Sequence, residues 1–180
     1  DGTRLWNPAE PGYGVKVGSD FGEESFFKAV PTTDGGAIVL WEDRPTSGQD
    51  TVIYGQRVDA NGNTLWSADG TMMSEYSPTS YSTDAEIVAD GADGAYMSWI
   101  TSNTDNGQDY LIVTHRLSDG TIDPAWNGGA LIEIATFFTS SNVQKLMSAD
   151  ANNLILTYNE PGFTGSFLKA LKLQKSDGTL

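Results

Sequence analysis

Short runs in which apolar and polar residues alternate recur along the chain, and none is long enough for more than a strand. The first are Phe26–Val30, Ala37–Trp41, Thr51–Val58 and Thr71–Ser74. They are separated by Asp34-Gly35-Gly36, by a loop holding Pro45 and Gly48, and by Asp59-Ala60-Asn61-Gly62. β-Branched and aromatic residues fill the runs. The joins use residues that tolerate positive φ or bond their own backbone, as hairpin turns require. The same succession predicts strands at Ala85–Ala89, Ala95–Ile100, Tyr110–Leu117 and Ala130–Ile134, then at Val143–Met147, Leu154–Tyr158 and Phe167–Leu173.

The succession is a repeat of about 58 residues. Gly36-Ala37-Ile38-Val39-Leu40-Trp41 returns as Gly94-Ala95-Tyr96-Met97-Ser98-Trp99 and as Asn153-Leu154-Ile155-Leu156-Thr157-Tyr158. Gly62 of Asn61-Gly62-Asn63 returns as Gly120 and Gly178, and Gly48-Gln49-Asp50 as Gly107-Gln108-Asp109. Arg57, Arg116 and Lys172 are read as a further set in phase, each near the end of a third strand. Residues 26–83 and 84–142 then form two full repeats and 143–180 the first three strands of another. Segment 1–25 supplies a displaced end. Asp1-Gly2-Thr3-Arg4-Leu5-Trp6 matches the landmark at Gly62 to Trp66, and Gly14-Val15-Lys16-Val17 reads as a fourth strand.

Four-stranded antiparallel units repeated about an axis are how a β-propeller hides its sheet edges. The expected fold is therefore all-β and propeller-like, with about three blades. Propellers typically have four to eight blades. Either two chains form a homodimer with one six-bladed ring or, the reading favoured here, these residues belong to a larger ring in a longer parent chain. A linear array of small β-domains is the alternative. The chain opens on Asp1 and not methionine, so a processed product or an excised segment is expected.

The stretch Gly36 to Arg44, followed by Ile53-Tyr54-Gly55-Gln56-Arg57-Val58-Asp59-Ala60-Asn61-Gly62-Asn63-Thr64-Leu65-Trp66, resembles the propeller repeats of large secreted and surface proteins of the Bacteroidetes. Such proteins are often cargo of the type IX secretion system. The resemblance implies an extracellular or cell-surface location and carries no catalytic residues with it.

Composition narrows the chemistry. The net charge is −14, from 24 acidic and 10 basic residues, a sign unsuited to nucleic acid or to an anionic membrane. No cysteine is present, so thiolate metal sites, thiol catalysis and disulfides drop out. No apolar run approaches the length of a membrane span. Carboxylates in such number leave calcium open as a ligand. Its candidate turns are Asp90-Gly91-Ala92-Asp93-Gly94, Asp59-Ala60-Asn61-Gly62-Asn63 and the cluster Asn103, Asp105 and Asp109, none of which matches an EF-hand loop. In each, a tight turn is the favoured explanation of the residues.

Trp41, Trp99 and Tyr158 hold one phase of the repeat, and Trp6, Trp66 and Trp126 another. Recurrence inside apolar strands points to packing between adjacent blades, with sugar stacking as the alternative. The basic set at Arg57, Arg116 and Lys172 is expected to pair with acids, Asp50 and Asp109 or Glu42 and Asp43 among them. His115 is the single histidine, and no Gly-x-Ser-x-Gly elbow offers it a nucleophile. Glu42, Asp43, Glu86, Glu133 and Glu160 could supply the paired acids of a glycoside hydrolase. The reading reached from the sequence is a non-catalytic extracellular module for protein or glycan binding, adhesion or scaffolding. A carbohydrate-active enzyme is the alternative.

Overall fold

The structure, a computed structural model, describes residues 6, 14–18, 22–44, 51–75, 77, 79–138, 144–162 and 165–180. The landmark at Gly48-Gln49-Asp50, the loop at Pro45, the segment Asp1 to Leu5 and Val143 lie outside them. The fold is all-β. Three antiparallel sheets follow one another, each a meander in chain order. The first contains β1 (Glu23–Pro31), β2 (Ala37–Arg44), β3 (Val52–Val58) and β4 (Thr71–Met72). The second contains β5 (Ser80–Ala89), β6 (Ala95–Asn103), β7 (Gln108–Arg116) and β8 (Ile132–Phe138). The third has β9 (Gln144–Ser148), β10 (Asn153–Gly162) and β11 (Gly165–Gln174). Among the described residues the sole helical turn is a 3₁₀ turn at Asn127–Gly129, and no helix is long and apolar enough to cross a membrane.

The sheets pack face to face, with β1 against β5 and β5 against β9. Successive side chains of a strand leave on opposite faces, so one sheet can serve two interfaces. In β6, Ala95, Met97 and Trp99 pack against Ile38, Leu40 and Ile53 of the first sheet. Tyr96 and Ile100 of the same strand pack against Leu146, Leu154, Leu156 and Tyr158 of the third. That double service explains the unbroken run of six buried residues from Ala95 to Ile100.

A tryptophan then joins each unit to the next. Trp66, after the first sheet's turn, lies on Gly120 of the following turn and donates its indole N–H to Ser118 O at 2.9 Å. Trp6 stands in the same relation to Gly62 and bonds Ala60 O at 2.8 Å. Trp126 lies on Gly178, with its indole N–H buried and without an acceptor. The third turn closes from Gly178 N–H to Gln174 O, one residue wider than the bonds from Gly62 to Asp59 and from Gly120 to Leu117, which moves the waiting carbonyl. Gly62, Gly120 and Gly178 all have φ between 77° and 87°, and a β-carbon at Gly120 would come within 3.0 Å of the Trp66 ring. Two requirements, left-handed backbone and room for an indole, thus select glycine at this phase.

The expected strands and the observed ones share their centres, but two differences matter. β1 and β5 begin at Glu23 and Ser80, earlier than Phe26 and Ala85. A bulge lies at the expected start of each, between Ser25 and Lys28 and between Thr83 and Glu86, and it interrupts the alternation on which the sequence reading depends. The second difference is that Gly14 to Val17, expected as a fourth strand, lies outside the described strands, and the third sheet has three strands among the described residues. That segment lies over the first sheet instead, with Val15 at Gly62 and Gly18 at Trp41.

Candidate functional site

The first strands of the first two sheets each carry a left-handed residue at a bulge, and side-chain hydrogen bonds tie the second of these to both neighbouring sheets. Phe26 and Asp84 sit at the two bulges with φ of 48° and 56°, a region that residues with a β-carbon seldom occupy. At Asp84 both neighbouring sheets hold the bulged peptide. Its N–H donates to Glu42 Oε1 at 2.8 Å, and its carbonyl accepts from Gln144 Nε2 at 2.6 Å. Gln144 is fixed in turn by Ser98, whose hydroxyl donates to Oε1 at 2.6 Å.

Just past the bulge, Lys28, Glu86 and Lys145 occupy one phase on β1, β5 and β9. Lys28 Nζ is 3.3 Å from Glu86 Oε1, and Lys145 Nζ is 2.5 Å from Glu86 Oε2. Three carboxyls near this row are held above their ordinary range. Burial raises Glu42; burial and then the charge of Glu24 raise Asp43; desolvation and then Glu86 raise Asp84. Asp43 Oδ1 is buried without a hydrogen-bond partner.

A basic side chain on the third strand meets the first hairpin of its sheet in every unit. Arg57 reaches Asp34 at 2.8 Å and, across the interface, Asp93 at 3.1 Å. Lys172 lies 3.7 Å from Asp150. In the middle sheet the role falls to His115, which corrects the sequence reading. Arg57, His115 and Lys172 stand opposite Ile38, Tyr96 and Ile155, whereas Arg116 stands opposite Ala95, one residue out of phase. With a period of two, one residue means the other face. Arg116 is accordingly buried, donating to Gly120 O at 3.2 Å and Met73 O at 3.1 Å. Arg57 and Lys172 thus meet hairpin aspartates where Glu42 and Asp43 were among the expected partners, and Asp50 lies outside the described residues.

His115 is spent on structure. Its Nδ1 is 2.8 Å from Asp123 and its Nε2 3.0 Å from Asp90, and the ring stacks on Tyr96 at 4.2 Å. Burial alone would raise Asp90, but its bonds to His115, Ala92 and Gly94 hold it below the usual range. Burial pushes the Tyr96 phenol up to about 12, aided by Asp90 and Asp123. With both ring nitrogens engaged, His115 has no free edge to offer a substrate.

The candidate acids separate in the same way. Glu42 caps the bulge, Glu86 holds two lysines, and Glu160 pairs with Lys169. Glu133 differs: with Glu75 it borders a crevice of about 210 Å³ lined also by Ser77, Ser80, Thr101, Tyr110, Trp99, Ile112 and Leu131. Trp41, Trp99, Trp126 and Tyr158 are buried and present no open ring face for stacking. In the calcium-like turns the carboxylates bond their own backbone: Asp90 accepts from Ala92 and Gly94, and Asp59 from Asn61 and Asn63. Among the described residues no three acidic or histidine side chains converge as a metal site would require.

The Lys28, Glu86 and Lys145 row keeps the spacing of the repeat but alternates in sign, so recurrence of residue type does not reveal it. Neither a family model nor a curated protein matches this chain.

Proposed function

We propose that these residues are three blades of a β-propeller that works outside the bacterial cell as a non-catalytic module for binding a protein or glycan ligand. One observation carries the reading. The first strands β1, β5 and β9 lie side by side, and in every sheet the remaining strands follow in chain order. Blades around an axis have this arrangement. The commitments of His115, Glu42, Glu86 and Glu160 to internal partners support a non-catalytic role. The net charge of −14 and the resemblance of the repeat support an extracellular setting.

The ligand position best supported is the crevice over Trp99. Its hydroxyls and two carboxylates suit a polyhydroxylated group, and its size suits one ring, below the roughly 300–1,000 Å³ of sites for drug-sized ligands. Surface plasmon resonance against a glycan panel tests this. Saturable binding that falls about tenfold in Tyr110→Ala, a loss of about 1.4 kcal/mol, is expected, with thermal stability unchanged. Binding that ignores this substitution moves the site elsewhere, and no saturation anywhere on the panel removes the glycan reading.

The presence of Glu75 and Glu133 in the lining of that crevice favours one second reading, a carbohydrate-active enzyme that uses them as acid and base. Sugar release from an oligosaccharide, lost in Glu133→Gln with binding retained, would establish it. No release by the unaltered chain sinks it.

A further inference from the structure

Asp43, Thr101 and Glu160 hold one place in the repeat, two residues beyond Trp41, Trp99 and Tyr158. Each unit surrounds that place differently. Thr101 stands opposite Ser82, and the two hydroxyls bond each other at 3.0 Å. Glu160 is neutralised by Lys169, which stands opposite Tyr158. Asp43 has neither arrangement. Glu24 stands opposite it in the place of Ser82, and Tyr54, opposite Trp41, holds the place of Lys169. Where the second sheet has a hydroxyl pair, the first has two carboxylates. Where the third has an ammonium, the first has a phenol, its ring stacked on Trp41 with centroids 6.0 Å apart.

Like charges directly opposite on neighbouring strands repel. Asp43 is 4% exposed, and its Oδ1 is buried without a hydrogen-bond partner. Burial, and then the charge of Glu24, hold its carboxyl above the usual range, and a bond from the Arg44 backbone N–H offsets this only in part. The Arg44 guanidinium is directed to Glu23, at 3.5 Å.

The backbone beside the pair leaves its oxygens uncovered. A β-carbon on Gly22, whose φ is 117°, would collide with Asp43 Oδ1 and stand 2.8 Å from Arg44 O. One on Gly18 would collide with Glu24 Oε1. Two carboxylate oxygens and a main-chain carbonyl thus sit against two glycines. Gly18 and Glu24 also line a crevice of about 290 Å³ beside Trp41, which gives room for water molecules.

We infer that the Glu24 and Asp43 carboxylates, together with the Arg44 carbonyl, bind a calcium ion. The ligand is a cation because a buried carboxylate oxygen facing a second carboxylate has no donor to meet. Two negative charges call for a divalent ion. Calcium accepts about six to eight oxygens in flexible geometry, backbone carbonyls among them, whereas magnesium demands a near-ideal octahedron. With two acidic side chains and not three, the third protein ligand is main-chain and water completes the shell. A site so composed belongs with the weaker calcium sites, of dissociation constant about 10⁻⁴–10⁻³ M. The inference stands on one sheet and is independent of the propeller reading.

Calorimetric titration of the chelator-treated chain with calcium chloride tests it. One saturable site is expected, weakened by about tenfold or more in Asp43→Asn and in Glu24→Gln and unchanged in Glu160→Gln. Glu24 is exposed, so its variant tests the site even where Asp43→Asn disturbs folding. Tyr54→Lys alters no ligand but supplies the third sheet's ammonium, and is expected to abolish the site. A second readout separates this site from diffuse attraction to a charge of −14. Calcium should raise the urea midpoint of the unaltered chain, whereas Asp43→Asn should raise it without calcium and make it insensitive to calcium. Binding that survives both carboxylate substitutions overturns the assignment. So does the lack of saturation up to about 10 mM calcium, at least tenfold above the expected constant.

Discussion

At the scale of single residues, the contact of tryptophan on glycine makes sharp demands. Gly120→Ala must place a β-carbon where φ is 85° and the Trp66 ring is 3.0 Å away, so a loss of about 1–3 kcal/mol in urea unfolding is expected. Trp66→Phe gives up the bond to Ser118 as well as ring area, whereas Trp126→Phe gives up area alone. The first substitution is therefore expected to cost about 1 kcal/mol more than the second. Acid titration tests the carboxyls by sign. Glu42, Asp43 and Asp84 are held above their ordinary values, so the folded chain keeps protons that the unfolded chain has already released. Their penalty is full at neutral pH and disappears as pH falls. The turn aspartates Asp34, Asp59, Asp119, Asp150 and Asp177 are held below 3.8 by side-chain and backbone hydrogen bonds within their turns. Their contribution is full above that value and is lost as pH falls through their lowered ones. Stability is thus expected to rise as pH drops from 7 and to fall once it passes below 3.8. Glu42→Gln, which keeps an acceptor for Asp84 N–H, should flatten the rise when urea midpoints are followed across pH.

At the scale of elements, the bulge in β5 is clamped through its main chain, so the side chain at its centre is free to change. Asp84→Gly preserves the bonds to Glu42 and Gln144, relieves φ of 56° and removes a carboxyl that resists ionisation. It is expected to raise the urea unfolding free energy by about 1 kcal/mol. The same bulge marks what the sequence made legible. Hairpins and strand centres could be read directly, because alternation and turn residues are local signals. The strand ends before the bulge could not, since an extra residue reverses the inward face. Register escaped for a related reason: Arg57 and Arg116 match as letters, but the ladder places His115 opposite Tyr96 where Arg57 stands opposite Ile38. The segment from Gly14 to Val17 has the composition of a strand, and composition cannot say which sheet receives it. Of the candidate site, the acids were visible one by one, while the crevice bordered by Glu75 and Glu133 depends on loops meeting across the fold.

At the scale of the whole molecule, the middle sheet is the one packed between two others among the described residues. Stability in a stacked array is dominated by contacts between neighbours. Amide exchange is therefore expected to be slowest in β6 and β7 and fastest in β1 and β11, with protection highest from Ala95 to Ile100. The row of Lys28, Glu86 and Lys145 has a further consequence, one of parity. Alternating signs close around a circle without conflict only when the number of units is even. Three units begin and end on the same sign, so a further sheet that kept the alternation would present an acid to Lys145.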